Sequence, residues 1–429
     1  TAMPLGIDTP STIGIAYAVM GPAYIATRDA QLTWHIGMAT LFMIGAVKIV
    51  TSFFGGWIQR VIPTAGLLGP LAGIGLLLLG FLPLVEIFNE AIVGMVALGL
   101  IFTTLMSKMQ LPGRMPGVLA AVILGTGIHF FLGFSGYLPE FAAPTLDMHF
   151  ALPVPSVEFL KTLPQSVHYL TIAIPFGILT IIGGINNTES ARLAGDDYRT
   201  RDILLTEALS SLIASFFGGV AQTTPYIGHP AYKKMGATWW YTLLTGILIG
   251  VCSIIGLLSV FVSLIPRAVI APIFIFIGFE IMRQAYKDSP AAHSPAVSLS
   301  ILPVIASMVL IVLGQFTGAS VVILEKLPAR LLIMHQTLTM LSNGFIITGL
   351  LWGSMLAFVI DHQAKRAALC AAISAILTLF GIIHSVLPTG ELYLPWHIQS
   401  QAHYMTALAY FTLSAILLLF NPPKAEAQT

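Results

Sequence analysis

Apolar stretches long enough to cross a bilayer recur along this chain almost without pause, and that repetition restricts it to one kind of architecture. A helix needs about 17 to 25 mostly apolar residues to cross the hydrocarbon. Such windows lie near 34–56, 62–83, 88–106, 115–134, 168–186, 203–219, 238–263, 268–284, 298–315, 345–360, 366–386 and 403–420. Hydrophobic residues make up 56% of the chain and charged residues 9%, against roughly 25% charged in a soluble domain. The chain therefore reads as an all-α, multi-pass protein of the cell (inner) membrane. Its long, Gly-rich windows predict a helix bundle, because barrel strands are shorter and alternate.

Charge excludes other classes. With 19 basic and 18 acidic residues the net charge is +1, so no polybasic surface points to nucleic acid, and the expected large partner is the lipid bilayer. Basic residues at Arg60, Lys108, Arg114, Arg199, Arg201, Arg283, Lys287, Lys365 and Arg366 would face the cytoplasm, and the acid- and proline-rich connection 135–165 the outside. Lys233, Lys234 and Lys326 do not all follow that scheme. Cys252 and Cys370 lie in apolar runs and read as packing residues. No HExxH, Walker loop or GxGxxG occurs, and no Cys or His cluster has metal spacing. No cofactor or metal is expected. No serine with a matching base suggests an intramembrane enzyme. A transporter driven by a proton or sodium gradient, or a uniporter, remains.

Two proline-rich breaks organise the chain. Residues 135–165, GYLPEFAAPTLDMHFALPVPSVEFLKTLPQS, cannot form a continuous helix and read as a connection between a first repeat, 1–134, and a second, 166–421. Residues 317–344 are moderately amphipathic and suit the membrane interface. The polar tail 422–429 is expected to be disordered. The halves share a short pattern. The opening TAMPLGIDTPSTIGIAY and the later QTTPYIGHPAYKKMGA each carry Thr, Pro, a large apolar residue, Gly, a polar residue and a second Pro. Each predicts an extended strand that turns into a helix at its second proline. Extended backbone at membrane depth survives only where protein or a cavity satisfies it. Two such elements in corresponding places are the pattern of a repeat-built transporter that binds substrate between broken helices.

Candidate binding residues follow. In the second element Thr224, Tyr226, Gly228 and His229 would meet a small-molecule substrate, with Tyr226 stacking on a planar ligand and His229 bonding it or relaying a proton. The simpler reading makes His229 a helix-start cap. Asp8 and Thr9 hold the matching place in the first element. The window 168–186 ends in Asn186, Asn187, Thr188 and Glu189. Glu189 is either a ligand acceptor and proton-coupling group or a helix end paired with Arg192. Asn186 and Asn187 either contact a heterocycle or join helices. Glu86, Glu90 and Asp361 read as span ends, and Glu280 as a local partner of Arg283.

The runs ESARLAGDD, LLTEALSSLIASFFGGVAQTTPYIG and SLIPRAVIAPIFIFIGFEIM resemble the nucleobase/ascorbate transporter group, which includes the xanthine, uracil and adenine/guanine permeases. That resemblance implies a seven-plus-seven inverted repeat with core and gate domains, two spans that are half strand and half helix, and a site between core and gate. Residues 4–20 would be span three, 168–190 span eight, 203–219 span nine and 223–236 span ten. Two family spans would then precede Thr1, so an N-terminally incomplete first repeat is expected. A purine or pyrimidine substrate, proton symport by alternating access, and a homodimer as one option are further implications. The chain departs from the group at two acids, with Ile182 and Gly183 near the place of the first and Gly228 or His229 at the second. An anion transporter of the same fold, using half-helix dipoles, is the alternative, although no arginine sits in the expected site.

Overall fold

The structure is a computed structural model that describes residues 2–54, 57, 60–138, 141–144, 148–226, 229–234, 236–317, 328–388 and 390–420. In chain order it comprises β1 (Leu5–Ile7), α1 (Thr9–Ile15), α2 (Gly21–Thr27), α3 (Ala30–Ser52), α4 (Thr64–Ile74), α5 (Leu82–Asn89), α6 (Ala91–Ile101) and α7 (Gly117–Phe134). The second half adds α8 (Leu170–Leu193), α9 (Thr200–Phe216), β2 (Thr223–Pro225), α10 (His229–Lys234), α11 (Trp239–Ile254), α12 (Leu257–Leu264) and α13 (Arg267–Asp288). It closes with α14 (Ser294–Thr317), α15 (Ala329–Ser342), α16 (Phe345–Ile360), α17 (Ala364–Leu379) and α18 (Ala402–Leu419). Among the described residues seven helices are long and apolar enough to cross a membrane, or up to nine if each bent pair is one span. The expected all-α, multi-pass membrane fold with two short strands is present.

Local chemistry sets the element starts. Asp8 caps α1 by accepting from the Ser11 N–H at 3.0 Å, and Pro10 fits the first turn that follows. Asp29 caps α3 by accepting from the N–H groups of Gln31 and Leu32. The window 238–263, read as one span, is instead two helices bent by 84°, because Gly256 takes a left-handed conformation at φ 76° where the chain turns. The window 366–386 is helical only to Leu379. Beyond it the chain turns at Gly381 (φ 69°), and the Asn343 side-chain amide donates to the carbonyls of Ser385 and Leu387, both at 2.9 Å. The described part of 317–344 forms α15, which meets α16 at 75°.

The chain divides into two compact units. The smaller holds residues 1–4, 75–154 and 231–281. Its core is apolar, with Val93, Ala97, Ile101, Ala121, Ala268 and Val269 buried, and Glu90 meets His129 across 2.6 Å. The larger holds residues 5–74, 155–230 and 282–429. There α3 packs on α9, and Phe42, Phe159 and Phe216 meet in tilted and edge-on contacts. In the same unit α4, α14 and α16 approach closely over small residues. Ser300 of α14 lies against Gly69 of α4 and against Gly349 and Gly353 of α16, so that a methyl at any of the three would overlap it.

Candidate functional site

The two short strands pair antiparallel, Leu5 opposite Pro225, Gly6 opposite Thr224 and Ile7 opposite Thr223. Asp8 extends the ladder by donating its N–H to the Gln222 carbonyl at 2.9 Å. This small sheet satisfies extended backbone that would otherwise be stranded away from water. A helix start follows each strand, α1 at Thr9 and α10 at His229.

Three elements of the larger unit grip β2. Lys48, from α3, donates to the Thr223 carbonyl at 2.8 Å and to Gln222 Oε1 at 3.4 Å. From α9, Ser211 Oγ accepts the Thr223 N–H at 3.1 Å, and the Glu207 carbonyl accepts from the Thr223 hydroxyl at 3.1 Å. From α8, Asn187 donates to the Pro225 carbonyl at 2.6 Å, and Thr180 donates to Gln222 Oε1 at 3.3 Å. Behind the strand the Lys48 ammonium and the Glu207 carboxylate form an ion pair at 2.5 Å with both side chains fully buried.

The candidate residues separate accordingly. Asp8, Thr9, Asn187 and Thr224 lie at the strand pair or the helix start beside it. Asn187 joins α8 to β2, which was one of its two readings. Tyr226 follows β2 and is exposed, as is Asn186 on α8. His229 is buried and directs Nε2 to Asp196 Oδ2 at 2.8 Å, with the Tyr198 ring edge-on at 6.0 Å. Glu189 is 53% exposed and forms an ion pair with Arg192 at the end of α8, matching the helix-end reading. Gly228 lies outside the described residues.

Lys48 and Glu207 were missed by the sequence reading, though a signal for them exists. Lys48 is the one Lys or Arg within α3, and Glu207 is a carboxylate inside an apolar window. An ionisable group inside a span is a site hypothesis by default. Glu189 drew that argument because it ends its window, where the rule is weakest.

No protein-family model matches this chain, and no curated protein matches it. Solved structures do match. The transmembrane domain of a cyanobacterium bicarbonate transporter, BicA, superposes with a TM-score of 0.54 over 74% of this chain and 84% of that one, at 17% identity. The chain shares the fold of that transmembrane domain. The seven-plus-seven inverted-repeat architecture implied by the sequence resemblance agrees with this likeness, which does not reach to the nucleobase group itself.

Proposed function

We propose that this protein is a secondary transporter that moves a small anion across the membrane by alternating access. The observation that carries the reading is the strand pair and its two helix starts, set within a fold shared with a protein named as a bicarbonate transporter. Backbone of this kind is retained at membrane depth where it builds a binding place. Lys48 places a buried ammonium on the Thr223 carbonyl of β2 and so orders the strand, its own charge being met by Glu207. The larger unit carries all of these groups, and its movement as a body would present them to either side of the membrane. The two halves, 1–134 and 166–421, are proposed repeats, supported by one strand coming from each.

A second reading keeps a purine or pyrimidine as substrate. It draws on the exposed Tyr226 ring and Asn186 amide. The carboxylate that it would use, Glu189, is instead engaged by Arg192 at the surface, which favours the anion.

Counterflow into proteoliposomes of the full chain tests both. Saturable exchange of labelled bicarbonate or nitrate, competed by small anions and indifferent to uracil and xanthine, is expected. Exchange of uracil or xanthine alone would transfer the protein to the second reading, and no exchange of any of the four would overturn transport of either class.

A further inference from the structure

The ion pair behind β2 leaves a charge uncompensated. Three ionisable side chains of the larger unit gather there: Lys48 from α3, Glu207 from α9 and Asp8 ahead of α1, whose N–H bonds the Gln222 carbonyl at 2.9 Å while Lys48 bonds the side chain of the same residue at 3.4 Å. Two carboxylates and one ammonium sum to −1. Buried charge without a partner is costly, so the cluster favours taking up one positive charge.

The geometry says where that charge goes. Asp8 is well served as an anion, since Oδ2 accepts from both the N–H and the hydroxyl of Ser11 at a helix start. Glu207 is not. Lys48 stands beside Oε1, while Oε2 is buried, receives no hydrogen bond and lies against Gly184 of α8. Among the described residues the titratable groups facing Glu207 are Lys48 from α3 and Asp8 from the start of α1; α8 presents Gly184 and β2 presents Thr223. The exposed pair Glu189 and Arg192 is turned to the surface, and Arg201 of α9 lies over the Phe53 ring. A sodium ion would need several oxygens and would sit beside an ammonium already in contact with the carboxylate. A proton needs one lone pair.

We propose that Glu207 is the proton-binding residue of this transporter, with Lys48 positioning its carboxylate and Asp8 supplying the fixed negative charge that makes the proton necessary. The coupling part of this inference rests on the anion-transport reading above. A proton from the aqueous side bonds to Glu207 Oε2, and the Lys48 ammonium keeps its bonds to the Thr223 carbonyl and Gln222. Protonated, the cluster is neutral; deprotonated, it carries −1 and repels an anion at the neighbouring strand ends. Proton and anion therefore bind with positive coupling, each raising the affinity for the other by the same factor. The result is symport.

Infrared difference spectra of the purified full chain, acidified in the absence of any transported solute, test the site directly. A protonated-carboxyl band should appear in the wild type and vanish in Glu207→Gln, whose elution and melting show that it is folded. An unchanged band in that variant would overturn the assignment whether or not the protein transports anions. In proteoliposomes with nitrate as probe, the wild type should accumulate anion under an inward proton gradient, whereas the accumulation ratio of Glu207→Gln should stay at one and whatever exchange it retains should not vary with pH. Gradient-driven accumulation by the variant would equally overturn the inference. Absence of exchange in the wild type for every anion tried would overturn the transport reading and leave the infrared result to decide Glu207.

Discussion

Replacing Lys48 with methionine keeps most of its stem and removes its charge. In the native protein the ammonium lies 2.5 Å from the Glu207 carboxylate with both groups fully buried. At an effective dielectric of about 20, unit charges at that separation attract by roughly 7 kcal/mol. Desolvation of the two ions offsets most of this, so the intact pair is only a modest net stabiliser. Removing one partner differs, because it strands the other charge at a cost of about 3–5 kcal/mol. Lys48→Met also leaves the Thr223 carbonyl without its donor, adding about 1–3 kcal/mol if no other group replaces it. The double variant Lys48→Met with Glu207→Gln removes both charges and should recover most of the first loss. The single variant should lose stability as pH rises and regain it on acidification, since a protonated Glu207 needs no counter-ion. Thermal unfolding of the full chain in lipid nanodiscs, followed by tryptophan fluorescence at two pH values, reads these differences. Lys48→Met melting with the wild type, or a double variant as unstable as the single one, would refute the reasoning.

Other perturbations follow from neighbouring geometry. Gly69→Ala places a methyl onto Ser300 and should destabilise by about 1–3 kcal/mol; Ser300→Gly in the same chain should restore much of the melting temperature. Glu189→Ala breaks an exposed ion pair, so its melting temperature should match that of the wild type and anion exchange should be retained. Asn187→Ala removes the 2.6 Å bond to Pro225 and should cost about 1–3 kcal/mol, measured by the same unfolding assay, while Asn187→Asp, which cannot donate to a carbonyl when ionised, should cost at least as much.

The fold was legible in the sequence because bilayer physics writes itself into composition. Span length and the shared Thr, Pro, Gly and Pro pattern pointed to both strands, and β1 and β2 fall within the two stretches singled out. Asp8 was singled out as a substrate contact; the structure shows it as the cap of α1, a role the sequence reading did not name. The interior of the site was harder to read. Lys48 and Glu207 are 159 positions apart, and nothing local to either says that they meet. Their pairing depends on α3 packing against α9, a tertiary fact with no sequence period. His229 was read as a ligand or proton-relay residue of the broken element, or as a helix-start cap beside Pro230; its ring meets Asp196 in the connection after α8, a contact that motif reasoning does not describe. The bend at Gly256 shows a third limit, since an apolar window records solubility in lipid but not direction.

The serine set among three glycines carries a consequence for descent. The Ser300 side chain occupies the space that side chains at Gly69 and Gly353 would need, its carbonyl oxygen lies where one at Gly349 would go, and its hydroxyl is tied to the Ala296 carbonyl at 3.0 Å. A lineage that enlarges Gly69 or Gly353 must first shrink Ser300, and one that loses the Ser300 side chain releases both positions at once, whereas Gly349 stays fixed by backbone that every residue carries. Across homologues Gly69, Ser300 and Gly353 should therefore change as a single inherited character, visible as joint substitution between α4, α14 and α16 long after the lipid-facing residues have randomised.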